Sequence, residues 1–151
     1  MLAQQYASLL AIHGTLRWFV LLSALVAIAG CLVGLAGKRP FSPLGRVPGI
    51  IYVSFLDTQI LVGILLSAAS PIFGLLLTDP AAVMKQRDLR SVTVEHITLM
   101  LVAAALAHIG SIRSRRTPEA SASYRVAAAW YAGSLAVILI GIPWWRPLLR
   151  T

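Results

Sequence analysis

The sequence predicts an all-α, polytopic membrane protein: residues 1–151 forming a single four-transmembrane-helix bundle. Three observations predict it. Hydrophobic residues make up 58% of the chain and charged residues 12%, where a soluble domain has about 45–50% and roughly a quarter. Too few polar side chains remain to build a water-facing skin. The apolar residues gather into four runs, 9–35, 50–77, 92–112 and 127–142, and the Lys and Arg residues lie largely between them.

A bilayer core of about 30 Å needs roughly 20 helical residues at 1.5 Å each, and the first three runs reach that length. In the first run the earliest basic residue, Arg17, follows apolar residues rather than preceding them, so the segment reads as a retained helix and not a signal peptide. Cys31 is the lone cysteine, and no disulfide framework is possible within the chain. The following stretch, 38–49, carries Pro40, Pro43, Pro48, Gly45 and Gly49, which predict an irregular crossing loop. Ser70 and Pro71 fall inside the second run and predict a kink near its outer end. Asp79–Pro80 has the form of a cap on a short surface helix through 81–89, with proline at its first position.

The fourth run is shorter. It spans a bilayer if Tyr124, Arg125 and the 143–145 segment occupy the interfaces, where aromatic rings and long basic side chains are stable. Residues 142–148, Ile-Pro-Trp-Trp-Arg-Pro-Leu, predict a helix stop anchored by tryptophans at headgroup depth. Pairs of small residues four apart, Gly30 with Gly34, Gly63 with Ser67, Ala103 with Ala107 and Ala129 with Gly133, offer each helix a packing seam.

Basic residues set the expected orientation. Lys38, Arg39, Arg46, Arg113, Arg115, Arg116 and Arg125 fall on one side, seven in all; Lys85, Arg87, Arg90, Arg146 and Arg150 fall on the other, joined by Arg17 if it is counted. Positive charge prefers the cytoplasm, so both termini are expected in the periplasm, in a bacterial inner membrane. The net charge of +8 sits at helix ends. Anionic phospholipids account for it, and a nucleic-acid partner is not expected.

Six ionisable residues lie within or at the ends of the apolar runs: His13, Arg17, Asp57, Glu95, His96 and His108, including all three histidines. Each costs about 2.5–3.5 kcal/mol at mid-membrane, so each calls for a partner or a task. His13 and His96 are expected near the outer ends of helices one and three, which run the same way, so the imidazoles can meet at one depth. Such a pair suits the two axial positions of a b-type haem, with Arg17 one turn from His13 to reach a propionate. The same histidines can instead hydrogen-bond to neighbouring carbonyls and hold the bundle together. Glu95, turned about 100° from His96, is expected to face the boundary or another subunit. Asp57 and His108 are expected to form a buried polar pair in the inner half, either as a static bridge or as a proton relay to a quinone. His96 and His108, twelve residues and about 18 Å apart along the axis, serve separate sites. No HExxH, CxxC, carboxylate cluster, phosphate loop or nucleophilic triad is present, so an enzymatic role stays open without a motif behind it.

The segments His13-Gly14-Thr15-Leu16-Arg17-Trp18, Gly37-Lys38-Arg39-Pro40-Phe41, Asp57-Thr58-Gln59, Glu95-His96, His108 and Ile142-Pro143-Trp144-Trp145 occur in an order that resembles short bacterial four-helix membrane proteins described as cytochrome b-like. The resemblance covers nearly the whole chain. It implies paired histidines near each membrane face, and family members tend to carry histidine where this chain has Asp57. That departure deprives His108 of an imidazole partner and implies at most one conventional haem b, between His13 and His96. The expected role is then a membrane electron-transfer subunit, passing single electrons between a quinone pool or periplasmic carrier and other membrane protein subunits. An accessory or assembly subunit of a respiratory or photosynthetic complex is the alternative.

Overall fold

A computed structural model describes residues 2–145, with side-chain surroundings from Gln4 onward. Four helices in it are long and apolar enough to cross a membrane. The first, α1 (Leu2–Ala36), has 35 residues, about 52 Å of helix, so one end must project beyond a 30 Å core. It closes through Lys38, whose left-handed φ of 49° lets the Arg39 N–H reach the Gly34 carbonyl at 3.0 Å, the wide bond usual at helix ends with glycine in that place.

Helix α2 (Pro43–Ala68) begins earlier than the prolines of 38–49 suggest. Ser42 caps it by accepting from the Gly45 N–H at 3.3 Å, and Pro43 occupies the first turn, where a missing N–H has no partner to lose. Pro48 is inside the helix, and its ring packs on α1 where a Cβ at Gly30 would lie 3.5 Å from it. Only 39–42 remain irregular. At the other end Ser70–Pro71 does not kink a continuous helix but ends it: α2 stops at Ala68 and a separate α3 (Pro71–Thr78) follows. Asp79 caps α4 (Pro80–Lys85) as expected, accepting from the Ala82 N–H at 3.0 Å. Gln86 breaks the predicted surface helix, and α5 (Arg87–Arg90) leads into one π-helical turn over Ser91–Glu95. Then come α6 (His96–Arg116) and α7 (Ala120–Gly141). The fourth span thus gains its length from the polar start 120–126. Of the predicted 142–148 stop, Ile142 ends α7 and Trp144 donates to the Leu139 carbonyl at 2.8 Å; Arg146, Pro147 and Leu148 lie outside the described residues.

Helix α1 packs against α2 and α7, and α6 packs extensively against α7 and more sparsely against α2. Helices α1 and α6 therefore stand on a diagonal, with the α2–α6 seam the most open side. Small residues bring the backbones together, as expected for helices that gain little from hydrophobicity against lipid. Gly34 and Gly45 accept the Tyr124 ring, Gly49 the Tyr131 ring, and Ala103 and Ala107 are fully buried. The fourth small pair does not serve: Ala129 is exposed, and nothing lies within 4 Å of a Cβ on Gly133, because that side of α7 faces outward. At the centre Tyr52 and Ser134 hydroxyls share a 2.6 Å hydrogen bond, and Ser134 donates to the Ala103 carbonyl at 2.7 Å, which ties α2, α7 and α6 together.

Candidate functional site

The alternating course of the chain places the start of α1, the end of α2, the start of α6 and the end of α7 at one end of the bundle. His13 and His96 meet there across the diagonal, with ring centroids 6.2 Å apart and ring planes at 79°. Each ring is set by a neighbour on an adjacent helix. His96 Nδ1 is 2.8 Å from the Gly141 carbonyl oxygen, and that approach needs glycine: a Cβ at Gly141 would sit 2.6 Å from Met100 Cε and 3.0 Å from Leu99 Cβ. Because a carbonyl oxygen only accepts, the bond puts the proton of a neutral His96 on Nδ1 and leaves Nε2 with its lone pair. His13 lies against Gly63 of α2, where a Cβ would be 3.2 Å from its Cε1.

Gln59, buried on α2, donates its side-chain N–H to the His13 backbone carbonyl at 3.0 Å. Two buried polar atoms in this end, His13 Nδ1 and Gln59 Oε1, have no hydrogen-bond partner among the described residues. Arg17, one turn along α1, has its guanidinium 5.9 Å from the Trp18 ring centre, and its charge reaches both imidazoles. The residues expected to form one site, His13, His96 and Arg17, are therefore brought together. The π-helical turn ends at Glu95, immediately before His96; such turns insert a residue into a helix and often mark working sites. Glu95 points outward, as expected, and pairs with Arg90 at 2.7 Å.

The histidine geometry can be set against the needs of a haem. Two metal–imidazole bonds of about 2 Å each, extended by the radii of the two rings, fill a 6.2 Å separation. Among the described residues no three His, Cys, Asp or Glu gather to hold a bare metal ion. A porphyrin supplies four nitrogens of its own and asks the protein for two. Glycine at 63 lets the His13 ring lie against α2, and glycine at 141 lets Met100 and Leu99 close against α7. A cleft of about 190 Å³ opens beside His96, lined among others by Arg87, Ser91, Glu95 and Trp145. Ligand pockets usually offer about 300–1,000 Å³; this cleft is smaller, and His13 is not among the residues that line it. The spacing of the two imidazoles suits such a group; the space beside them is smaller than the group needs.

Asp57 and His108 also meet, Oδ1 to Nε2 at 2.8 Å, but not where expected. Because α2 begins at Pro43, Asp57 is fourteen residues into the helix, near its middle, while His108 is eight residues from the end of α6. The pair is not buried either: 45% of the Asp57 side chain and 48% of the His108 side chain are exposed, since the two residues bridge the outside of the open α2–α6 seam. Sequence reasoning passed over Gln59 as a support for His13, and over Tyr52 and Ser134. Their one signal was a hydrogen-bonding side chain inside an apolar run. No family model matches the chain, and no curated protein or solved structure matches it.

Proposed function

We propose that the chain is a multi-pass subunit of a bacterial inner membrane that holds one b-type haem near the outer face and passes single electrons within a larger membrane complex. The observation that carries this reading is the 6.2 Å meeting of two imidazoles from diagonal helices, beside two buried polar atoms, His13 Nδ1 and Gln59 Oε1, without a hydrogen-bond partner among the described residues. When bound, the haem supplies a one-electron couple. The chain's own residues do the rest. His13 and His96 would hold the group through their imidazole nitrogens, the Gly141 carbonyl holds His96 in its tautomer, and Gln59 fixes the α1 backbone at His13. Arg17 offers a cation to a propionate. The electron partner is a quinone pool or a periplasmic carrier, and anionic phospholipids surround the arginine-rich inner end.

A second reading, an accessory or assembly subunit without a cofactor, draws on the same His96–Gly141 bond acting as a clip between α6 and α7 and on the small cleft. The absorption spectrum of the purified protein separates the two. Reduced-minus-oxidised bands of a bis-imidazole haem are expected in the wild type and absent in His96→Ala, with helix content unchanged. A colourless, folded wild type prepared from haem-replete cells overturns the electron-transfer reading and leaves the accessory one.

A further inference from the structure

The half-exposed Asp57–His108 pair has no part in the histidine site. It lies fourteen residues from the start of α2 and eight from the end of α6, about 21 and 12 Å along the two axes, so in a bilayer it stands in hydrocarbon and not among headgroups. Ionisable residues at that depth almost always face a bundle interior or a water-filled cavity. Here they face outward. Neither the cleft beside His96 nor the small inner cavity near Cys31 is lined by either residue, so the exposed polar edge lies on an open helical face and not in a pocket shaped for a small molecule.

That face has the character of a helix-packing surface. On α2, Ser54, Asp57 and Leu61 recur at steps of three and four; on α6, Ala105, His108 and Ile112 do the same, and their outward sides are open. This is the 3–4 spacing of a packing seam, with the ionisable residue at the middle of each line, the position from which a polar side chain fixes register. Ser54 and Ala105, one turn from the pair, are small enough for another helix to approach. The pair is also complementary to itself. Its internal bond uses Asp57 Oδ1 and His108 Nε2; in the ion-paired form, carboxylate against imidazolium, Oδ2 is a further acceptor and Nδ1–H a further donor for a second contact. A two-fold rotation brings the donor of each copy to the acceptor of the other, which is the condition for an isologous interface.

We infer that the α2–α6 face is the interface of a two-fold symmetric homodimer, in which Asp57 and His108 of both copies close one four-residue hydrogen-bonded ring within the membrane. The second copy completes the polar site, removes its exposed half from lipid and covers the most open seam of the bundle.

Energy transfer between fluorophore-labelled full-length chains, reconstituted in lipid vesicles at varied protein-to-lipid ratio, measures the association. The wild type is expected to dimerise, and Asp57→Asn and His108→Gln are each expected to weaken association at least about tenfold, since each change breaks two symmetry-related polar contacts. In a Cys31→Ser background, Ala105→Cys is expected to form a disulfide-linked dimer. Gly133→Cys, on the outward face of α7 where no atom lies within 4 Å, is expected to stay monomeric. Wild-type chains that remain monomeric at every ratio overturn the inference. So does association unaltered in both polar variants, or a position-105 cross-link made in native membranes only to a different protein. If a polar variant fails to fold, the wild-type energy transfer and the position-105 cross-link decide, because neither alters the pair. The measurements need no cofactor, so their outcome is independent of the haem proposal.

Discussion

Ser134 does more for the core than its size suggests. Its hydroxyl accepts from the Tyr52 O–H at 2.6 Å and donates at 2.7 Å to the Ala103 carbonyl, at a point fully removed from solvent. Ser134→Ala leaves the Tyr52 hydroxyl without that partner in a low-dielectric interior. The expected loss is about 1–2 kcal/mol, between the penalty for an unsatisfied buried group and the smaller averages found between membrane helices. Thermal unfolding in detergent checks it, and adding Tyr52→Phe should recover part of the loss, because the two residues form one bond. If the double variant is as unstable as the sum of the singles, the hydroxyl pair is not the source. The contrast with the histidines explains what was legible at this scale. An imidazole in an apolar run is anomalous by its ionisation alone, and the anomaly pointed to His13 and His96 meeting. A serine or tyrosine hydroxyl can be satisfied by its own helix, as Ser23 is by the Val20 carbonyl at 3.0 Å, so the sequence does not tell which hydroxyl bridges helices.

Helix-to-helix docking rests on tyrosines of α7 seated against glycines of α1 and α2. A Cβ at Gly49 would stand 2.9 Å from Tyr131 Cε2 and Cζ, and that ring cannot easily yield, being held edge-on to Tyr52 at 5.6 Å. Gly49→Ala is therefore expected to destabilise the bundle by about 1–3 kcal/mol through overpacking. Gly133→Ala, with open space around it, is expected to be neutral or to gain up to about 1 kcal/mol from helix propensity. Parallel thermal melts of the two variants test the assignment, and equal behaviour would refute it. Run length and charge placement made the four long helices legible, but two boundaries were not. Prolines at 43 and 48 read as loop, yet the first turn has no use for the Pro43 N–H and the Pro48 ring fills space beside Gly30. The π-helical turn before His96 leaves no mark in hydrophobic periodicity, since Ser91–Glu95 mixes polar and apolar residues without a repeat. The same early start of α2 moved Asp57 to mid-span, and the sparse α2–α6 packing, a property of the assembled bundle, turned a pair expected inside to the outside.

For the molecule as a whole, the remaining quantity is its direction across the bilayer, which decides the side from which electrons would reach the histidine site. The end that holds His13 and His96 also holds the 69–95 connection, with Lys85, Arg87 and Arg90 offset by Asp79 and Asp88. The opposite end gathers Lys38, Arg39, Arg46, Arg113, Arg115, Arg116 and Arg125, with Arg46 donating to the Phe41 carbonyl and Arg113 lying 5.7 Å over the Trp130 ring. Those side chains combine charge with aromatic and backbone anchors at one level, as an interface facing anionic lipid requires. On the charge bias, the 37–42 and 117–119 connections are expected in the cytoplasm. In a Cys31→Ser background, Gln86→Cys is expected to react with a membrane-impermeant maleimide in intact spheroplasts, and Pro118→Cys only after permeabilisation; both positions are exposed. The reverse pattern would put the histidine end in the cytoplasm. The pairing geometry would be untouched by that result, but a periplasmic electron carrier would no longer have access to it, and the partner would have to be sought among cytoplasmic or quinone donors.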